Sequence, residues 1–241
     1  MAIGQNLTPD EWSKVLETEG QAQDRLFPWT PTLLDLTADC ASTLDLGSGR
    51  GELAAAMARA GKKTTLLDWS EKNIQFSRDL FLGLELEGSF HRADMTQPLS
   101  FADGQFDAVH SCGVFEYFTD GEIVNILKEA FRVARKRVII LVPNAWSLPY
   151  RFGKWYLEQT KQWVWGGERP FSSLKPHFRA AGCGGIREFS VGTKHSLNFL
   201  TMRGGHALQS AAIVLFRLKD HPRPSFLNQG YLLITAGEKK G

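Results

Sequence analysis

Thr43-Leu-Asp-Leu-Gly-Ser-Gly-Arg-Gly-Glu-Leu53, followed by Thr64-Thr-Leu-Leu-Asp68, is the stretch whose reading decides the fold. An apolar strand enters a tight Gly47-x-Gly49-x-Gly51 turn, and a helical pattern from Glu52 to Ala60 follows at once. A second apolar strand then ends in a carboxylate. Glycine at alternate positions lets the backbone take positive φ and lets a ligand lie against the main chain. A carboxylate at the tip of the next strand can accept hydrogen bonds from a ribose diol. Together these features describe a nucleoside-binding βαβ unit.

The glycine spacing separates two kinds of nucleoside. A dinucleotide fingerprint, G-x-G-x-x-G, would place its third glycine at position 52, where this chain has Glu52. That glycine permits close helix–strand packing beneath a pyrophosphate, and a glutamate side chain obstructs it. The pattern Asp45-x-Gly47-x-Gly49-x-Gly51 instead resembles motif I of class I S-adenosylmethionine-dependent methyltransferases. That cofactor carries no phosphate, so the turn needs no basic residue.

Working outward, Thr8-Pro9-Asp10-Glu11 reads as a capped helix start, and residues 8–37 as helices preceding the sheet. The strands expected are Ser42–Leu46, Thr64–Asp68, Gly88–Arg92, Phe106–Ser111 and Arg137–Val142. The last of these is apolar on both faces, as a central parallel strand should be. Helices over Gly51–Ala60, Ser70–Leu84 and from Thr119 onward alternate with them; Gly61 stops the first, and Thr119 with Glu122 forms a capping box for the third. Such alternation predicts a doubly wound α/β sheet, mostly parallel, with right-handed crossovers. A helix from Ser173 to Gly182 and strands near Gly185–Val191 and Tyr231–Ala236 would complete a seven-stranded Rossmann-like sheet with an antiparallel pair.

Length and composition fit one domain across residues 1–241, since 241 residues with 43% hydrophobic content can bury a substantial core. A net charge of +2 creates no sizeable basic field, so nucleic acid is not the default partner. Cys40, Cys112 and Cys183 are odd in number and form no CxxC pair, which favours a reducing compartment over disulfides or a zinc site. The first residues show no basic-then-apolar signal, and the runs Val138–Val142 and Ala211–Phe216 are too short to span a bilayer. A soluble cytoplasmic protein is the expectation.

The segments Phe106-Asp-Ala-Val-His-Ser-Cys-Gly-Val-Phe-Glu-Tyr-Phe118 and Lys128-Glu-Ala-Phe-Arg-Val-Ala-Arg-Lys-Arg-Val-Ile-Ile-Leu-Val-Pro-Asn144 extend the resemblance to the type 11 methyltransferase family. It covers residues 40–145 and implies S-adenosyl-L-methionine as cofactor. It further implies that Asp45, Leu46, Gly47, Ser48, Gly49 and Gly51 line the methionine part. Asp68 would hold the ribose hydroxyls, Trp69 would lie beside the adenine, and Asp94 with Met95 would meet the adenine amino group. Ser111 and Cys112 would sit under the transferable methyl. His110, Glu116, His177 and His195 all remain open as a general base, and none is nominated as catalytic.

Absences narrow the acceptor. Ser111-Cys112-Gly113-Val114 is not the Asn/Asp-Pro-Pro-aromatic sequence of base-amino methyltransferases, and it offers no carboxylate for magnesium. A protein-arginine enzyme would want two close glutamates after strand four, and the sequence there shows only Glu116. The expectation is metal-independent transfer to a small-molecule or lipid-like acceptor. An RNA methyltransferase guided by Arg132, Arg135, Lys136 and Arg137, or a non-catalytic cofactor-binding scaffold, are the alternatives. Residues 144–170 hold Trp146, Trp155, Trp163 and Trp165 of the seven tryptophans, with Tyr150, Phe152 and Tyr156. With residues 196–228, which include an apolar helix near Ala207–Leu218, they are expected as acceptor-side insertions forming a mobile lid. Their apolar surface must pack on the domain, on a partner subunit as in a homodimer, or on substrate.

Overall fold

A computed structural model describes residues 8–18, 26–200 and 229–239. The helix expected near Ala207–Leu218, and all of 201–228, lie outside the described residues. The rest follows the alternation legible in the chain. Helices α1 (Pro9–Thr18) and α2 (Thr30–Leu36) precede β1 (Ser42–Leu46), α3 (Glu52–Arg59), β2 (Lys63–Asp68), α4 (Glu71–Gly83), β3 (Ser89–Arg92) and β4 (Phe106–Cys112). A short 3-10 turn, Phe115–Tyr117, leads to α5 (Asp120–Val133), β5 (Ala134–Pro143), α6 (Leu148–Gln159), α7 (Lys175–Ala180) and β6 (Gly184–Val191). The single helical turn α8 (Thr193–Ser196), a 3-10 turn at Leu197–Leu200 and β7 (Leu232–Glu238) follow.

The seven strands form one sheet in the order β3-β2-β1-β4-β5-β7-β6. The first five pair in parallel, while β7 runs antiparallel to both β5 and β6. This is the expected doubly wound sheet with its antiparallel pair. Local signals set the boundaries. Thr8 and Glu11 cap α1 reciprocally, as the Thr-x-x-Glu spacing implies. Ser70 Oγ accepts from Asn73 N at 3.3 Å to cap α4, and Thr119 with Glu122 closes the capping box on α5. β5 begins at Ala134, three residues before the expected start at Arg137, because Arg135, Lys136 and Arg137 carry their charges out to partners while the backbone keeps its ladder.

Alternation along β5 divides the core. Val138, Ile140 and Val142 pack with Ile123, Leu127, Phe131 and Phe178 from α5 and α7 on one face. Ile139 and Leu141 pack with Trp29, Leu33, Leu53 and Met57 from α2 and α3 on the other. These β5 side chains are fully buried, each contributing about 1.5–3 kcal/mol. With both faces covered, the accessible edge of the parallel portion is the row of strand carboxyl ends. Register aligns them, Leu46 opposite Leu67 and Cys112 opposite Leu141, so the loops after β1, β2, β4 and β5 emerge together.

The basic run at the start of β5 lies at the opposite end of the strands and is engaged. Arg132 pairs with Asp103 at 2.7 Å and Glu129 at 2.6 Å, and Arg135 pairs with buried Asp107. Arg137 donates to Leu36 O at 2.6 Å and pairs with Asp39 at 3.0 Å, and Lys136 reaches the same Asp39. These cations tie helices and strands together rather than presenting an open basic surface.

Residues 144–170 are not an extended loop. α6 fills their centre, with Tyr150 fully buried and Gly153 so close to the Phe199 backbone that an added Cβ would stand 2.2 Å from Phe199 O. Asn144 anchors the segment, donating to Gly230 O at 2.9 Å and accepting from Trp146 N at 3.0 Å. Among the described residues, no helix is long and apolar enough to cross a membrane.

Candidate functional site

The loops at the strand carboxyl ends enclose a cavity of about 660 Å³. Its size is ordinary for a small-molecule site. One end is built by the glycine turn. Gly47 stands at φ +73°, and a Cβ there would meet a Val114 methyl at 2.7 Å, so only glycine fits. Gly49 follows at φ +54° and turns its amide back to donate to Asp68 Oδ2 at 3.0 Å. Asp68 is 4% exposed and also accepts from Ser70 N at 2.9 Å and Asn73 Nδ2 at 3.1 Å. Three of its roughly four acceptor positions are thus filled by the chain itself. Asp68 therefore shapes the glycine turn as well as facing the cavity. Burial pushes its pKa up to about 6 against those hydrogen bonds.

Ser48 Oγ, beside Gly47, is buried without a hydrogen-bond partner. Buried hydroxyls are ordinarily satisfied, and this one, without a partner among the described residues, belongs to a residue that lines the cavity. Asp45 is also buried, 3.4 Å from His110 Nδ1, and desolvation pushes its pKa up to about 7. His110 is held down to about 4 by the same burial, so at neutral pH it is an uncharged imidazole and the contact is not an ion pair. On the far side of the turn, Trp69, Asp94 and Met95 line the cavity. Asp94 Oδ1 accepts from Thr96 N at 2.9 Å and Thr96 Oγ1 at 2.8 Å, so one oxygen forms the turn while the residue borders the cavity.

Nine of the twelve residues expected around a cofactor line this cavity: Asp45, Gly47, Ser48, Gly49, Asp68, Trp69, Asp94, Met95 and Cys112. Three do not. Ser111 is fully buried and donates to Leu46 O at 2.6 Å, so these two satisfy one another inside the sheet. Gly51 meets α4 instead, since a Cβ on it would stand 2.8 Å from Ser77 Oγ. Its glycine serves helix packing rather than ligand approach. Cys112 keeps its proton because burial, reinforced by Glu116, pushes the thiol well up.

The other end of the cavity was largely invisible in the sequence. Trp12 and Leu16 of α1 reach it because Ser13 Oγ meets Ser70 Oγ at 2.7 Å and buried Arg50 donates to Leu16 O at 3.1 Å. Trp12 packs edge-on against Tyr117 at 4.7 Å, and Tyr117 Oη donates to Trp165 O at 3.0 Å. His195, Phe199 and Tyr231 form a second aromatic group, with ring centroids 5.0–6.2 Å apart. Between lie two buried glutamates, Glu116 and Glu168. Glu116 follows β4, whereas Glu168 arrives from beyond α6, held close as Arg169 N donates to Glu116 O at 3.3 Å. Of the four candidate bases, Glu116 and His195 line the cavity. His110 is sealed in the sheet, and His177 is bound to Asp120 at 3.0 Å away from it. Among the tryptophans expected to cover the acceptor, Trp165 does face the cavity, whereas Trp163 lies beneath Lys154 and Trp146 and Trp155 face outward.

Comparison with known proteins accords with this arrangement. Residues 43–137 match the family model of a methyltransferase domain. YqeM of Bacillus subtilis, whose name classes it with methyltransferases, is 30% identical over 134 residues, 55% of this chain and 47% of that protein. The ubiquinone biosynthesis O-methyltransferase of Alkalilimnicola ehrlichii is 31% identical over 96 residues, 37% of this chain and 39% of that one. The chain spans less than half the length of these curated relatives. Among solved structures, the magnesium protoporphyrin IX methyltransferase of Synechocystis PCC 6803 with bound SAH superposes with a TM-score of 0.60 at 15% identity. That match covers 96% of this chain and 94% of the other, and at such identity it speaks to the fold.

Proposed function

We propose that this chain is a class I S-adenosylmethionine-dependent methyltransferase, a reading supported by the match of residues 43–137 to a methyltransferase-domain model, and that it transfers a methyl group to a small organic acceptor without a metal ion. The carrying observation is the glycine turn with its orphaned Ser48 Oγ, opening onto the same cavity as Asp68. The residues present fit S-adenosylmethionine: a close-approach backbone at Gly47 and Gly49, an unsatisfied hydroxyl, a carboxylate facing the ribose position, and Trp69, Asp94 and Met95 for the base. Bound there, the cofactor supplies a methyl group on positively charged sulfur, which needs no metal to be reactive.

The chain's task is then to hold donor and acceptor in line, an effect worth up to about 7–11 kcal/mol in favourable cases. The aromatic wall at the far end positions the acceptor and excludes water from the reaction centre. Glu116 and His195 are the titratable groups placed to take a proton when the acceptor must lose one. Titration calorimetry with S-adenosylhomocysteine tests the cofactor site. Tight NADH binding with no affinity for S-adenosylhomocysteine would refute the reading. Once an acceptor is in hand, release of S-adenosylhomocysteine distinguishes an enzyme from a binding scaffold, and turnover should survive EDTA.

A further inference from the structure

Glu116 is 3% exposed and its Oε2 lacks any hydrogen-bond partner, although the residue lines the cavity. Glu168, 7% exposed, lines the same end and accepts a hydrogen bond from Tyr150 Oη on its Oε1. Among the described residues, neither carboxylate has a cation within ion-pair distance. The nearby cations are committed: Arg169 pairs with Asp120 at 2.8 Å and donates to Phe118 O, and Lys154 pairs with Glu158 at 2.7 Å over the Trp163 ring. Two buried carboxylates side by side are costly to a fold, and among the described residues only the Lys154 charge, itself paired with Glu158, bears on Glu168 from beyond ion-pair distance. An arrangement of this kind makes physical sense where a ligand brings the missing positive charge.

The surroundings have the same character. Trp12, Tyr117 and Trp165 wall the region, and the faces of such rings attract cations. A neutral apolar acceptor would gain from the rings but would leave Glu116 Oε2 unsatisfied. An anionic one would be repelled.

We propose that this end of the cavity is a receptor for an organic ammonium or guanidinium group, held between Glu116 and Glu168 and walled by Trp12, Tyr117 and Trp165. The assignment of this cation as the methyl acceptor rests on the methyl-transfer reading; its binding does not. Burial, and then the adjacent Glu168 charge, holds the Glu116 carboxyl well above the usual carboxylate range, and burial brings Glu168 up to about 7. A seated cation would lower both. With the cation seated, the Glu116 carboxylate would be the group to take one proton from a bound ammonium, the nitrogen keeping the electron pair.

The experiment titrates phenethylamine, agmatine and the neutral 2-phenylethanol into protein saturated with S-adenosylhomocysteine. At least one of the two cations should bind at least tenfold more tightly than the alcohol. Glu116→Gln should abolish that preference while S-adenosylhomocysteine affinity stays within twofold. Glu168→Gln, which preserves an acceptor for Tyr150, carries the same test if the first variant does not fold. Equal binding of amines and alcohol, or an unchanged preference in both variants, overturns the proposal. So does a loss of S-adenosylhomocysteine affinity in the variants, which would give the carboxylates to the cofactor. Protein that binds the amines but not S-adenosylhomocysteine, titrated alone, would uphold the cation site and remove the methyl-transfer reading instead.

Discussion

Replacing Asp68 by asparagine keeps the side-chain shape and isolates what the charge does. The amide oxygen still accepts from Ser70 N and Asn73 Nδ2, now 2.9 and 3.1 Å from Oδ1. The new NH2 group faces the Gly49 amide, which presently donates to Oδ2 at 3.0 Å, so donor would meet donor. Losing one hydrogen bond to a charged group, in a site that is 4% exposed, costs about 1.5–3 kcal/mol. The glycine turn must relax away from the position that cradles the ligand. S-adenosylhomocysteine affinity should therefore fall by about tenfold to a hundredfold, at roughly 1.4 kcal/mol per decade. Calorimetry measures this directly, and chemical denaturation without ligand gives the accompanying loss of stability. A variant that binds within threefold of wild type at unchanged stability would refute the assignment of Asp68 to both tasks. Asp68→Ala is less informative, because it leaves all three donors unpaired.

Trp165→Ala should weaken phenethylamine or agmatine binding at least fivefold and leave S-adenosylhomocysteine affinity within twofold, as parallel titrations would show. Glu168 titrates near 7 when folded against 4.5 unfolded, so its stabilising contribution is full below about pH 4.5 and is lost as pH rises through 7. Unliganded Glu168→Gln should consequently lose less melting temperature than wild type between pH 6 and pH 8; equal slopes would count against the buried charge. Gly153→Ala should destabilise the protein by more than about 2 kcal/mol, because its Cβ would overlap the Phe199 backbone. Gly121→Ala on α5, where a Cβ meets nothing within 4 Å, should be neutral or stabilising by up to about 1 kcal/mol in the same denaturation assay.

The half of the site made by neighbours in sequence was legible before any coordinates. Asp45, Gly47, Gly49 and Asp68 belong to one βαβ unit, whose turn, helix start and strand tip follow from local rules. Gly51 was recognised as an obligatory glycine but for a different neighbour, because Ser77 comes close to it only when α4 packs. Leu46 and Ser111 do not line the cavity, for a related reason. Their mutual hydrogen bond depends on which strands lie side by side, and β1 neighbours β4 only across a crossover. The acceptor end was hidden more deeply. Trp12, Glu116, the pair Trp165 and Glu168, His195 and Tyr231 come from five separate segments, and no spacing rule brings them together. An aromatic-rich stretch signalled a wall beyond β5. It did not signal that α6 would be a packed helix, or that a glutamate beyond it would lie beside Glu116.

The position of β7 between β5 and β6 also bears on how the chain assembles. Among the described residues, β6 has no sheet neighbour other than β7, which comes after the whole interval 192–231. A chain emerging from the ribosome can form the glycine-turn half, β1 through β5, from contacts already made. β6 must wait with both ladder edges open until the last strand slides in antiparallel and bridges it to β5. Closing so long a chain interval is slow relative to forming adjacent parallel units. Native sheet completion should therefore trail formation of the cofactor pocket, with the β5 and β6 edges as the places where nascent copies can stick to one another.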